Sequence, residues 1–282
     1  MKQDLIKILF LQKLLRLRKT RFINLFFIFF VSCALNNSMN LKNCLYPKES
    51  LILGGIVNRT INKDSINDIN LNSKFLCEDS KNLRLIYPIS YYADNHIKIG
   101  SIKIELKKKE FRDSRISIKD QKFNYISKNN LERIKKEREI LYKYTNLKTS
   151  RKYLNLPFKI PLEGIISSEY GVKRFINEKP RNPHLGIDFA AKEGSKIFSP
   201  ENGLVVFTGN FFYRGNVIII DHGDEVISTY SHLKEINVKS GTDVSKGDFI
   251  GTVGSTGRVT GPHLHFEIIL KGVKIDPSIF LY

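Results

Sequence analysis

Five of the six histidines fall between residues 184 and 265, and two groups among them have spacings that bear on chemistry. His263-Leu-His265 offers two imidazoles at i and i+2. On a β-strand these project from one face about 6.6 Å apart, so both can converge on one small site. The neighbours agree with that registration: His263, His265 and Glu267 share one face, and Leu264, Phe266, Ile268 and Leu270 share the other. His184-Leu-Gly-Ile-Asp188 offers an imidazole and a carboxylate. A regular strand would hold that pair about 13 Å apart, too far for both to reach a metal ion at about 2 Å. A bend must intervene, and Gly186 is where a bend costs least. Two imidazoles and a carboxylate suit Zn2+, and three protein ligands leave the fourth position to water, the arrangement of catalytic rather than structural zinc.

These residues need a sheet to carry them. From about residue 156 the chain consists of short β-branched runs such as Asn216-Val-Ile-Ile-Ile220 and Phe249-Ile-Gly-Thr-Val253, and 15 of its 18 glycines lie beyond Pro161. That texture predicts an antiparallel β domain with tight turns over residues 156–282. Residues 36–126 are rich in Asn, Ile, Lys and Ser, with β-type alternation over Lys98 to Leu106 and Arg115 to Lys119, and read as a β-rich accessory domain. Between the two, residues 127–155 form a helix and linker. Asn129-x-x-Glu132 has capping-box form, and Leu131, Ile134, Arg138, Leu141 and Tyr142 recur at helical spacing, which predicts a helix over 130–146. Its alternating charges read as a solvated face. The fold class is mostly β.

The net charge of +18 would suit a nucleic-acid partner, but its distribution does not. Residues 98–152 hold 18 basic and 7 acidic side chains, whereas residues 153–282 hold 14 of each. The domain with the histidines is neutral, so no nucleic-acid partner is expected. Residues 1–35 form a leader: seven basic side chains in the first 21 residues precede an apolar run from Phe22 to Leu35. As a helix that run would span about 21 Å, short of a hydrocarbon core of roughly 30 Å. It reads as an export signal, with an uncleaved anchor as the alternative. Phe30-Val-Ser-Cys33 approximates a lipobox, which would make Cys33 a lipid anchor to the membrane, and Ser32-Cys33-Ala34 equally fits a small-x-small cleavage site. Either way the location expected is the periplasm or cell envelope. Cys44 and Cys77 then remain, as a disulfide or as two thiols.

Over roughly residues 156–282 the sequence resembles the LytM/lysostaphin-type zinc metallopeptidases, which cleave peptide bonds in bacterial peptidoglycan. The resemblance is carried in order by Ser167-Ser-Glu-Tyr-Gly171, His184-x-x-x-Asp188, Ser199-Pro-x-x-Gly203, Asp221-His-Gly223, Tyr230-Ser-His-Leu233 and Gly254-Ser-Thr-Gly-x-x-x-Gly-Pro-His-Leu-His-Phe-Glu267. It implies an antiparallel metallopeptidase sheet, His184, Asp188 and His265 as zinc ligands, and His263 and His232 as catalytic histidines. Amide hydrolysis at a metal needs a proton acceptor for the water, a donor for the leaving amine and positive charge for the oxyanion. His263 is assigned as the base and His232 as the oxyanion partner. Glu267 reads equally as a group orienting a ligand or as an ordinary strand carboxylate. His222 reads as a turn residue, and Phe211, Phe212 and Tyr213 as loop packing or, alternatively, as the wall of a substrate groove. Relatives that have lost ligands activate other wall hydrolases. None of these five positions is lost, so the expected function is an exported endopeptidase on peptidoglycan, with a non-catalytic activator of a wall amidase as the alternative.

Overall fold

A computed structural model describes residues 47–62, 75–78, 81–117, 126–149 and 156–281. The leader with Cys33, and Cys44, lie outside the described residues. Among the described residues no helix is long and apolar enough to cross a membrane.

Three upstream strands, β1 (Ile56–Asn62), β2 (Phe75–Glu78) and β3 (Asn82–Pro88), form an antiparallel sheet in the order β1-β3-β2. Alternation in β3 turns Leu83 and Leu85 into a small core with Val57 and Ile89. The run of β-type alternation from Lys98 to Leu106 falls in a hairpin, β4 (His96–Ile99) and β5 (Ile102–Glu105). Gly100 takes φ +59 between them, a left-handed turn conformation that suits a residue without Cβ. Ile99 and Ile104 of the hairpin close the same core.

The next strand, β6 (Asp113–Ile116), leaves that core and pairs in parallel with β8 (Lys173–Ile176), which also pairs with β9 (Lys179–Pro180). Helix α1 (Lys128–Thr145) follows. Its cap is Ser127 rather than Asn129: the Ser127 side chain accepts from the Asn130 N–H while its own backbone is extended. The buried stripe also differs from the expected one. Ile134 is buried, and Ile140, Leu141 and Tyr144 pack on the sheet, whereas Leu131 and Tyr142 face solvent. The charged face is only partly solvated, because Glu137 accepts from the Phe212 N–H and Arg133 reaches Asn210.

The remaining strands build a ten-stranded antiparallel sheet: β7 (Ile165–Ser168), β10 (Ile187–Ala190), β11 (Lys196–Phe198), β12 (Gly203–Phe211), β13 (Gly215–Asp221), β14 (Val226–Ile236), β15 (Asp243–Val244), β16 (Phe249–Val253), β17 (His263–Leu270) and β18 (Val273–Ile275). Its main path runs β15-β12-β13-β14-β17-β10-β7. Central strands are covered on both faces, which explains the unbroken apolar run in β13. Ile218 and Ile220 enter the main core with Phe189, Tyr230, Leu264 and Phe266. Val217 and Ile219 face the other way, into the layer closed by α1.

Candidate metal centre

Strand register does most of the positioning. β10 runs antiparallel to β17 with Asp188 opposite His265 and Ala190 opposite His263, so the carboxylate and the imidazole stand side by side on one face. The opposite face of β17 sends Leu264, Phe266, Ile268 and Leu270 into the core, matching the expected alternation. His184 precedes β10 and is clamped by its backbone, donating from N–H to Val172 O at 2.8 Å. The bend needed to bring it back lies at Gly186. A Cβ there would sit 2.6 Å from Phe266 O and 2.9 Å from both Glu267 Cγ and His265 Cε1, so only glycine lets β10 approach β17 this closely.

Three ligand atoms result, all within 4.8 Å of one another in buried surroundings. His184 Nε2 lies 2.9 Å from His265 Nδ1 and 2.9 Å from Asp188 Oδ1, and His265 Nδ1 lies 2.7 Å from the same oxygen. The outward sides of these groups are occupied. His184 Nδ1 is 2.8 Å from the Glu169 carbonyl oxygen, so it carries the proton and leaves Nε2 as a lone pair. His265 Nε2 faces Glu267 Oε1 at 3.1 Å, leaving Nδ1 toward the centre. Asp188 Oδ2 accepts from Arg174 Nη2 at 2.8 Å. Three acceptors thus face one point, and a metal cation is the group that satisfies all of them. Burial alone would raise the Asp188 carboxyl, but the imidazoles of His184 and His265, when they carry protons toward Oδ1, outweigh it and hold the group well below the carboxylate range. Burial lowers His184, with Asp188 opposing. For His265 burial pulls downward, yet Asp188 and Glu267 together leave it raised.

Glu267 orients His265 and is far from an ordinary strand carboxylate. It is 2% exposed, and it accepts from Lys274 Nζ at 2.6 Å, Arg214 Nη2 at 2.9 Å and Thr229 Oγ1 at 2.8 Å. Burial pushes its carboxyl up, and the charges of Arg214 and Lys274 reverse that to well below the usual value.

His232 and His263 flank the triad, with ring centroids 4.9 Å apart. His232 sits at φ +68, a left-handed conformation that costs a residue with Cβ about 1–2 kcal/mol. It is held there by its N–H donating to Arg214 O at 2.8 Å, and its Nδ1 lies 2.9 Å from Thr256 O. His263 Nδ1 lies 2.9 Å from Gly261 O, and its Nε2 lies 4.0 Å from Asp188 Oδ1. Both rings therefore spend Nδ1–H on a carbonyl, which leaves Nε2 for other chemistry. Burial holds His232 neutral, at about 3, with the charges of His265 and His263 adding to the effect.

Four of the five expected residues, Asp188, His232, His263 and His265, line one cleft of about 910 Å³, and His184 is buried behind them against Asp188 and His265. Tyr213 also lines it, while Phe211 and Phe212 are buried, so the aromatic cluster is part packing and part wall. His222 is more than a turn residue: it is fully buried, with Nδ1 2.7 Å from Asn202 O and Nε2 2.7 Å from Ser228 Oγ. Sequence reasoning missed Arg174, Arg214 and Lys274, because no local spacing links them to the carboxylates they bind.

An antiparallel sheet presenting two histidines and an aspartate beside two further histidines is the arrangement that the resemblance to LytM-type metallopeptidases implies. Residues 182–277 match Peptidase family M23. Among curated relatives, the peptidoglycan DD-endopeptidase ShyA of Vibrio cholerae is 45% identical over 112 residues, which is 39% of this chain and 26% of that protein. The DD-carboxypeptidase/endopeptidase Mpg of Neisseria meningitidis is 38% identical over 112 residues, 40% of this chain and 26% of that protein. The chain thus spans about a quarter of the length of these relatives. The crystal structure of an M23 peptidase from Pseudomonas aeruginosa shares the fold with a TM-score of 0.62 at 24% identity, covering 82% of this chain and 95% of that one.

Proposed function

We propose that the chain is an exported zinc metalloendopeptidase that hydrolyses peptide bonds in peptidoglycan stem peptides or cross-links. The observation that carries the reading is the convergence of His184 Nε2, Asp188 Oδ1 and His265 Nδ1 on one point in a cleft that also holds His232 and His263. Export rests on the basic and apolar leader. The substrate rests on what the relatives ShyA and Mpg act on.

Bound by His184, Asp188 and His265, zinc would polarise the scissile carbonyl and lower the pKa of a coordinated water. The chain's own groups handle the protons. His263 presents Nε2 4.0 Å from Asp188 Oδ1, beside the ligand set, and takes the proton of the attacking water. His232, its ring 4.9 Å from that of His263, is the group assigned to the developing oxyanion. The proton that His263 takes finally leaves on the departing amine. Arg174 and Glu267 keep Asp188 and His265 in place throughout.

The test is to incubate the purified full chain with zinc and intact peptidoglycan sacculi and to identify released fragments by mass. Zinc-dependent release of peptide-cleaved fragments, lost in His263→Ala, is expected. Cleavage that persists in chelator, or a fully active His263→Ala, overturns the mechanism. Zinc binding without cleavage would leave the site as a non-catalytic wall-binding or amidase-activating module.

A further inference from the structure

The domain bearing the metal centre has no net charge, yet its cleft does not share that neutrality. Arg138, Arg174, Arg181 and Arg258 line it, and among the described residues Asp188 is the only carboxylate that does. Asp188 is already committed to the ligand set and to Arg174. Arg138, Arg181 and Arg258 have no carboxylate partner among the described residues, whereas Arg115 pairs with Glu178 and Arg214 with Glu267. These cations come from separate elements. Arg138 belongs to α1, Arg181 follows β9, and Arg258 lies in the loop between β16 and β17.

Arg258 is the one held in place. Its guanidinium stacks over the Tyr213 ring, 4.4 Å from the centroid, and its backbone N–H donates to Tyr213 O at 2.9 Å. The next glycine back, Gly257, at φ +79, packs so tightly against the Gly215 backbone that a Cβ would collide with it, which fixes the loop that presents the arginine. Burial lowers the proton affinity of Arg258, and the neighbouring charges of Arg181 and Arg174 lower it further. A planar fork of donors, stacked on an aromatic face and crowded by like charge, is built to receive an anion, and a carboxylate matches the fork in two hydrogen bonds.

We propose that Arg258 and Arg181 form a carboxylate-binding subsite on the wall of the metal cleft, selecting peptides that carry a free carboxylate close to the scissile amide. Arg138 places a third cation at the rim from outside the residues that match the family, so the upstream helix contributes to substrate selection. The proposal rests on the endopeptidase reading for its substrate, and it narrows that substrate to acidic peptides.

The experiment measures binding apart from hydrolysis. The full chain is held in chelator, so that no metal can capture a carboxylate. It is titrated by fluorescence anisotropy with a labelled peptidoglycan stem tetrapeptide bearing free carboxylates, and with the same peptide fully amidated. The wild type is expected to prefer the free acid by at least about tenfold, as a charge-assisted pair excluded from bulk water allows. Arg258→Gln and Arg181→Gln should each lower the free acid's affinity more than the amidated peptide's and so reduce that preference, and Arg181, being exposed, keeps the test valid if Arg258→Gln unfolds. Equal binding of the two peptides by the wild type, or a preference that survives the double variant, overturns the subsite. Sacculus cleavage is scored separately. Intact sacculi with the arginine-dependent preference present sink the endopeptidase reading and keep the subsite, and cleaved sacculi with no preference do the reverse.

Discussion

At the residue scale, the site depends on groups that never reach the cleft. Glu267 holds His265 through Nε2 and is itself buried between Lys274 and Arg214. Glu267→Gln removes the charge and strands two cations, so it should destabilise the fold by about 3 kcal/mol or more and weaken zinc binding by roughly 10–100-fold. Thermal melts and competition with a zinc chelator read the two effects separately. His222 tests burial in a different way. Burial lowers it to about 4 from 6.5, so the folded state leaves it neutral where the unfolded chain protonates it. Stability from this group is complete above pH 6.5 and is lost as the pH falls from 6.5 toward 4, by about 3 kcal/mol in all. Denaturant unfolding should show that decline in the wild type and a shallower one in His222→Gln. The histidine pattern was legible from spacing, since i and i+2 on a strand face one way. The role of Glu267 was not, because whether a strand carboxylate is solvated or buried between two cations depends on chains far away in sequence.

At the element scale, β10 and β17 form the platform and Gly186 sets the distance between His184 and the sheet. Gly186→Ala brings a Cβ against the Phe266 carbonyl oxygen, which the strand cannot move cheaply, so a cost of about 1–3 kcal/mol is expected. The larger consequence should be local: His184 is displaced, and zinc affinity falls more than stability does, as calorimetric titration against a thermal melt would show. The need for a bend here followed from reach alone, since a straight strand cannot bring residues 184 and 188 to one ion. Elsewhere at this scale local pattern underdetermines the outcome. The alternating run from Lys98 to Leu106 fits one strand or two, and the left-handed Gly100 decides for two. The apolar spacing of α1 is compatible with several buried stripes, and docking on β12 and β13 chooses the one containing Ile140, Leu141 and Tyr144.

At the scale of the whole molecule, a metal held by the proposed ligands His184, Asp188 and His265 would also cross-link β10, the segment before it and β17. Stripping the metal should therefore lower the melting temperature, and zinc should restore it, with a gain of about 4 kcal/mol when free zinc is a thousandfold above its dissociation constant. A melting temperature indifferent to chelator would sink this coupling. The sequence by itself determined the class of fold, the five candidate residues of the proposed centre and the neutrality of the segment that carries them, because period, residue type and motif order are local properties of the chain. Only the tertiary structure decided which acceptors meet at one point, which arginines are paired and which are left facing the cleft, and that α1 and β6 extend the wall of that cleft. Those are outcomes of strand register and packing between residues as much as 81 positions apart, such as His184 and His265, and no local pattern encodes a distance of that kind.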